Sequence, residues 1–157
     1  MGLRLINQNL DSCFFITTTF YNHIRYGDVS GVYEELDNSL LYLLEKTNAK
    51  QISFVFMPSH IHLILAIEGA KLSGFIRDFK KFTSQKSLKH LKGQSSLWQE
   101  RYDRVVIAKH EVLETKLNYV HNNPVKAGLV AKPEDWYWSS ATDYYLEREG
   151  PLPIWRD

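Results

Sequence analysis

An apolar hairpin that carries two histidines places the tightest constraint on the fold of this chain. Residues 54–67 predict two β-strands of mainly branched and aromatic side chains, joined by the turn Met57-Pro58-Ser59. Side chains alternate across a strand, so His60 and His62 point to the same face. A polar ring in an apolar strand costs free energy without a partner, and neutral imidazole is a common metal ligand. A single histidine would indicate a hydrogen-bonded core residue, whereas two in step favour a divalent-cation site.

The order of the predicted elements indicates an α+β fold. The expected elements are a strand at 13–20, a helix at about 30–47, the hairpin at about 51–67, a helix at about 72–91, a strand at 105–107 and a helix from 110 to about 122. The first six follow the ferredoxin-like order, an antiparallel sheet with two helices on one face. The last helix is additional and could cover the opposite face. Asp28 or Ser30 is available to cap the first helix.

Length and composition indicate one globular domain over residues 1–157. Hydrophobic residues make up 44% and aromatic residues 13% of the chain, as expected for a folded protein. The longest apolar runs are strand-length, so no membrane span is expected, and the N-terminus lacks a signal-peptide pattern. The single cysteine, Cys13, excludes an intrachain disulfide and a cysteine zinc cluster, and is expected in the core. These features predict a cytoplasmic protein.

The charge is distributed unevenly along the chain. Residues 71–109 contain ten Lys or Arg and three Asp or Glu, a net charge of +7. The remaining residues contain nine Lys or Arg and fifteen Asp or Glu, a net charge of −6. The basic residues continue through Arg101 and Arg104 and are interleaved with Phe82, Trp98 and Tyr102. Cations that contact phosphates and rings that stack on bases are typical of a single-stranded nucleic-acid groove, although a basic helix alone would indicate a solvated surface.

The last helix presents a tyrosine beside its core face. Leu113, Leu117 and Val120 share the face expected to pack on the sheet, and Tyr119 lies about 100° or more from their centre. Tyr119 is therefore either a half-buried packing residue or a nucleophile that forms a phosphoryl link. Because the residue before a proline disfavours the α region, the helix is expected to break or kink near Asn123.

Asn123 itself allows two interpretations. It can cap a new short helix that has Pro124 at its first position and Gly128 past its end. Its amide oxygen can instead be the third protein ligand of a hard cation near Tyr119. The aromatic tail beyond residue 135 is predicted to be an ordered packing strap.

Several motifs in order resemble those of a known family. They are Met57-Pro58-Ser59-His60-Ile61-His62, Phe79-Lys80-Lys81-Phe82-Thr83, Leu97-Trp98-Gln99-Glu100-Arg101-Tyr102, residues 119–130 beginning Tyr119-Val120-His121-Asn122-Asn123-Pro124, and Trp136-Tyr137-Trp138-Ser139-Ser140. Over about residues 13–140 the chain resembles HUH-type single-tyrosine transposases of the insertion-sequence-200-like group, and within it the REP-associated tyrosine transposases. His-hydrophobic-His alone is a weak signal, but the ordered set is specific.

The resemblance implies a ferredoxin-like (RNA-recognition-motif-like) fold that cleaves and joins single-stranded DNA, often beside a hairpin. His60 and His62 would hold Mg²⁺ or Mn²⁺, and Tyr119 would form a 5′-phosphotyrosine and release a 3′-hydroxyl. A polar residue four after the tyrosine completes the metal site in related enzymes, and here that residue is Asn123 in place of glutamine. The protein would act in DNA transposition as a monomer or homodimer. The residues predicted to contact DNA are Lys80, Lys81, Trp98, Arg101, Arg104 and Lys126.

Two other functions compete with this one. The same fold and basic surface would serve a catalytically silent module that binds single-stranded nucleic acid, in which His60 and His62 are structural. A small metal-dependent hydrolase would need a general base near His60, and no carboxylate lies near it in sequence.

Overall fold

A computed structural model of the protein describes residues 12–93 and 96–155. These residues form a four-stranded antiparallel sheet in the order β2-β3-β1-β4. The strands are β1 (Cys13–Thr19), β2 (Lys50–Phe56), β3 (His60–Ala66) and β4 (Asp103–Val106). The helices are α1 (Val32–Thr47), α2 (Gly69–Ser87), α3 (His110–Lys126) and the short α4 (Ala141–Tyr145). The predicted ferredoxin-like α+β fold is therefore confirmed.

Strands β1, β2 and β3 are largely buried on both faces because a helical layer packs on each side, whereas the four residues of β4 are exposed. One core lies between the sheet and helices α1 and α2, and includes Leu36, Leu40, Phe75 and Phe79. The other lies under α3, and Cys13 belongs to it, as predicted for a small core residue. The predicted contact face of α3 is also confirmed, since Leu113, Leu117 and Val120 are all buried. The additional helix thus covers the opposite face of the sheet.

Helix α1 begins without the side-chain cap that the sequence predicted. Its N-cap is Gly31, with φ of 94°, so the chain enters the helix through a left-handed turn that glycine adopts without steric cost. Asp28 does not cap the helix; its carboxylate accepts a hydrogen bond from Arg25 at 2.7 Å. The prediction of Asp28 or Ser30 as the cap is therefore wrong.

Helix α3 continues through Asn123 and Pro124 instead of breaking there. The predicted new helix capped by Asn123 is therefore wrong. Pro124 lies in the last turn of the helix, where its missing N–H removes a single bond to the carbonyl four residues earlier. The backbone N–H of Ala127 donates to the Asn123 carbonyl at 3.0 Å, and Gly128 follows with φ of 74°, past the helix end as expected.

The aromatic tail runs along the outer edge of β2, as predicted for a packing strap. The backbone N–H of Phe56 donates to the Trp138 carbonyl at 2.8 Å, and the Trp136 indole N–H donates to the Phe56 carbonyl at 2.9 Å. The Tyr144 hydroxyl donates to the Ile52 carbonyl at 2.6 Å. These bonds satisfy backbone groups that an edge strand would otherwise expose to solvent.

Ser140 links this tail to α3. Its hydroxyl accepts from the backbone N–H of Phe54 at 3.0 Å and lies 2.8 Å from Nε2 of His121. His121, a residue of α3, is buried and packs against the rings of Tyr144 and Tyr145. Burial lowers the pKa of His121 from 6.5 to about 4. This imidazole is therefore neutral near pH 7.

The sequence also led us to expect neither a signal peptide nor a membrane span. The expectation that no signal peptide is present falls on residues 1–11, outside the described residues. None of the helices in the described part combines the length and the apolar character that a membrane span requires.

We expect the depressed pKa of His121 to make stability depend on pH. The unfolded chain binds this proton near pH 6.5 and the folded chain only near pH 4, so stability is full above pH 6.5 and falls as the pH approaches 4. His121→Gln should flatten this decrease by up to about 3 kcal/mol, measured by urea unfolding at several pH values. His110→Gln, which changes an exposed histidine, should keep the wild-type decrease. Equal pH dependence in the wild type and His121→Gln would contradict this prediction.

Candidate active site

The β1–β3 register places both histidines of β3 on the sheet face that α3 covers. Thr17 stands opposite His62 and Thr19 opposite His60 in the antiparallel pair. Residues directly opposite share a face of the sheet, and His62 therefore lies in the layer that also holds Phe15. The His60 and His62 ring centroids are 4.8 Å apart. The predicted pair of imidazoles on one strand face is thus present in the structure.

Hydroxyl groups bond to one nitrogen of each imidazole. Nδ1 of His62 lies 2.9 Å from the Thr17 hydroxyl, and Nδ1 of His60 lies 3.1 Å from the Ser59 hydroxyl. In the tautomer that donates from Nδ1, Nε2 carries the free lone pair. Nε2 of His62 is buried and has no hydrogen-bond partner within the described residues. A buried nitrogen without a partner, on a ring that a hydroxyl holds at its other nitrogen, has the chemistry that a metal ligand needs.

Both imidazoles are neutral near pH 7 because of their surroundings. The pKa of His62 is lowered to about 3, mainly by burial and also by electrostatic repulsion from His60 and Lys116. Burial also lowers the pKa of His60, an effect opposed by a hydrogen bond with the Asn123 side chain and reinforced by His23. Neutral imidazole is the form that binds a metal ion.

Helix α3 places Tyr119 against the histidine pair. Leu117 and Val120 fix the helix on the sheet, and the tyrosine ring leaves the helix beside this contact face. The ring packs edge-on against the His62 ring, with centroids 5.3 Å apart, and against Phe15 at 5.9 Å. Its side chain is nevertheless 44% exposed. Tyr119 is therefore a half-packed residue with part of its surface open to solvent.

Asn123 lies one helical turn after Tyr119, and its side chain is near enough to His60 to raise the pKa of that imidazole. The three predicted ligands are thus brought together as two imidazoles and one amide. No cluster of three or more His, Cys, Asp or Glu that could hold a metal occurs in residues 12–93 and 96–155. The donor set of His60, His62 and Asn123 fits a divalent cation that keeps open positions for phosphate and water.

Two of the predicted DNA-contacting residues make structural contacts within the protein. The Trp98 side chain is buried: its indole N–H donates to the Thr83 hydroxyl at 2.8 Å, and its ring stacks on Phe20 at 4.5 Å. The ring cannot stack on a base in this structure. The Lys80 ammonium donates to the carbonyl oxygens of Gln99, Glu100 and Arg101 at 2.8, 3.4 and 3.2 Å. All three of its donors are used, so Lys80 anchors the loop before β4.

The other four basic residues are exposed but do not form one patch. Lys81 lies on α2, Arg101 precedes β4 and Arg104 lies on it. Arg104 stands opposite Ile16, on the sheet face that α1 and α2 cover. Lys126 ends α3, on the opposite face. The predicted basic groove therefore reduces to Lys81, Arg101 and Arg104, with Lys126 on the α3 side.

Sequence reasoning missed three residues around the histidines and the tyrosine. Thr17 and Ser59 bond to the imidazoles, and Thr17 could be recognised only once the pairing of β1 with β3 was known. Lys116 lies three residues before Tyr119, and helical spacing alone could have identified it as a neighbour of the tyrosine.

Comparisons with known proteins agree with this geometry. The family model of IS200-like transposases matches residues 16–123. The chain therefore belongs to the IS200-like transposase family. It is also similar to a candidate REP-associated tyrosine transposase of Haemophilus influenzae, with 32% identity over 100 residues. That match covers 57% of this chain and 57% of the relative.

Two solved structures share the fold. The structure of a REP-associated tyrosine transposase bound to a REP hairpin has a TM-score of 0.73 at 22% identity, and the match covers 94% of this chain and 86% of that one. A crystal structure of a candidate transposase from Deinococcus radiodurans has a TM-score of 0.53 at 18% identity, covering 70% of this chain and 88% of that one. At these identities the likeness supports the fold of the chain.

Proposed function

We propose that this protein is a metal-dependent single-stranded DNA endonuclease and strand transferase that acts in DNA transposition through a covalent 5′-phosphotyrosine on Tyr119. One observation carries the proposal. The Tyr119 ring packs 5.3 Å from the ring of His62, whose Nε2 is buried and has no hydrogen-bond partner among residues 12–93 and 96–155. A candidate nucleophile and a candidate metal ligand are therefore neighbours, and membership of a transposase family supports DNA as the substrate.

The proposed reaction exchanges one phosphodiester bond for another. The Tyr119 oxygen attacks the phosphorus, a tyrosyl–phosphorus bond forms and the bond to the 3′ oxygen breaks. The phenol proton passes to solvent, and the departing 3′ oxygen takes a proton from water. Rejoining reverses these steps with another 3′-hydroxyl as the nucleophile, so the covalent link conserves the energy of the broken bond. The exposed position of Tyr119 supports entry of a DNA backbone.

His60, His62 and Asn123 would hold Mg²⁺ or Mn²⁺. The bound cation would draw charge from a non-bridging phosphate oxygen and favour in-line attack. The chain contributes the orientation of the ligands: the hydroxyls of Thr17 and Ser59 fix the two rings, and burial keeps both rings neutral. A phenol ionises near pH 10, so phosphate positioning is more important here than a ready phenolate.

The proposed partner is single-stranded DNA beside a hairpin. The REP-associated transposase that shares this fold was solved with a REP hairpin, which supports this substrate for the present chain. Lys81, Arg101 and Arg104 would contact phosphates on the α2 side, and Lys126 on the α3 side.

We expect Tyr119→Phe to eliminate the covalent protein–DNA adduct, because it removes the attacking oxygen alone. Folding and DNA affinity should be unchanged. Wild type and variant are incubated with single-stranded DNA pools and Mn²⁺, and adducts are detected on a denaturing gel and mapped by tryptic digestion. Tyr137→Phe, which changes an exposed tyrosine of the tail, is the matched control. A DNA-linked peptide that contains another tyrosine would disprove the assignment, and wild type that binds DNA without any adduct would support the silent binding module.

His60→Ala and His62→Ala should each weaken Mn²⁺ binding by at least tenfold and abolish the adduct, because each removes a metal ligand. Calorimetry reports metal affinity independently of activity, and circular dichroism reports folding. His110→Ala, an exposed histidine at the start of α3, should behave as wild type. Unchanged Mn²⁺ affinity in both variants, or wild-type adduct formation in a chelator, would refute the metal site.

Neutralising Lys81, Arg101 or Arg104 should flatten the salt dependence of single-strand binding by about 0.7 unit of slope per lost phosphate contact. Fluorescence anisotropy with a labelled oligonucleotide at several salt concentrations measures this slope. Lys80→Met should mainly lower the free energy of unfolding, since its ammonium bonds to three loop carbonyls. If none of the three slopes changed, this basic surface would be only a solvated surface.

A further inference from the structure

Lys116 lies beside the proposed nucleophile, on the preceding turn of α3. Residues three apart on a helix are neighbours on its surface. The Lys116 ammonium nitrogen is 5.9 Å from the centroid of the Tyr119 ring and 4.7 Å from that of the Phe15 ring. Its charge also reaches His62, where it disfavours protonation of the imidazole. The cation is thus in the same small region as the tyrosine and the buried histidine.

This ammonium has no anionic partner within the described residues. The carboxylate of Glu114, the nearest acid before it on the helix, lies 3.4 Å from His110 instead. Lys116 is a partly buried residue, and its ammonium lies over the Phe15 ring. The faces of two aromatic rings supply only a weak attraction, about 0.5 to 2 kcal/mol for such contacts.

Among the described residues, the side chains that contact Lys116 or lie within reach of its charge include no carboxylate. They are the rings of Phe15 and Tyr119 and the imidazole of His62, which burial keeps neutral near pH 7. An anion that enters this region would therefore find Lys116 as the positive side chain already present. A phosphodiester carries one negative charge, and its non-bridging oxygens gain further charge while a nucleophile attacks.

We propose that Lys116 is a phosphate-binding catalytic residue whose ammonium contacts a non-bridging oxygen of the phosphodiester that Tyr119 attacks. This inference rests on the proposed function and adds a residue that the motifs of the chain do not contain. Lys116 transfers no proton in this step. It balances charge on the phosphate while the tyrosyl–phosphorus bond forms and the bond to the 3′ oxygen breaks.

A packing role makes a different prediction. If the lysine stem only covered Phe15, methionine would replace it with a side chain of similar length and apolar character. Lys116→Met should then behave as wild type, and Lys116→Arg should be no better than methionine. A phosphate contact requires the charge, so arginine should retain activity that methionine loses.

The first experiment compares the rates at which wild type and Lys116 variants form the adduct in a single turnover. The substrate is an oligonucleotide whose sequence is first identified in the covalent complex of the wild type. Lys116→Met should slow the reaction by about 100-fold, as expected for loss of one charged contact to the transition state, and Lys116→Arg should recover at least tenfold of this. The control is Lys46→Met, which removes a lysine charge from α1 on the other side of the sheet. A Lys116→Met rate within threefold of the wild-type rate would overturn the inference.

A second experiment tests the contact in binding alone. In the Tyr119→Phe background and in a chelator, a single methylphosphonate at the scissile linkage removes the phosphate charge. This change should weaken binding by three- to tenfold when Lys116 is present, and by less than twofold in Tyr119→Phe/Lys116→Met. Equal weakening in both proteins would mean that Lys116 does not contact this phosphate.

The two experiments separate this inference from the function on which it rests. Adduct formation by wild type with no effect of Lys116→Met rejects the role of Lys116 and leaves the transferase intact. Absence of any adduct from wild type rejects the proposed function, and the role of Lys116 with it.

Discussion

The pairing of β1 with β3 is the interaction on which both the core and the candidate site depend. Thr17 stands opposite His62, and Phe15 stands opposite Ile64. The same strand pairing therefore places the histidine beside its hydroxyl partner and forms the apolar surface on which α3 packs. Because strand side chains alternate, a shift of one residue would turn both histidines toward α1 and α2. Burial of the flanking apolar residues on both faces opposes such a shift and thereby keeps the site in place.

The parts of the fold that follow from local patterns could be predicted from the sequence. Alternation on β3 predicts that His60 and His62 share a face, and the spacing of Leu113, Leu117 and Val120 predicts how α3 packs. With the packing face of α3 known, the position of Tyr119 beside it also follows. Its contact with His62 does not, because that contact depends on how α3 lies across the sheet. Only the resemblance to the family motifs predicted that Tyr119 and His62 belong to one site.

Some contacts of the predicted site residues could not be read from the sequence because they depend on distant partners. Trp98 and Lys80 have the chemistry of nucleic-acid contacts, but the fold brings Thr83 to the indole and three loop carbonyls to the ammonium. Both residues therefore satisfy the protein's own polar groups. Pro124 illustrates the reverse case, in which a strong local rule is overridden because the helix has almost ended when the proline occurs. Because helix α3 continues past this position, Asn123 stays on the same helix as Tyr119 and next to His60.

The tail along β2 also affects the tendency of the protein to self-associate. A bare sheet edge is a template on which another chain can add a strand, and proteins that lack a cover there tend to aggregate. Here the tail occupies the β2 edge through backbone bonds. Within the described residues the outer edge of β4 is without a strand partner, and this strand is only four residues long with Asp103 and Arg104 in it. One edge is thus sealed and the other is short and charged, so the sheet resists uncontrolled polymerisation even at high local concentration.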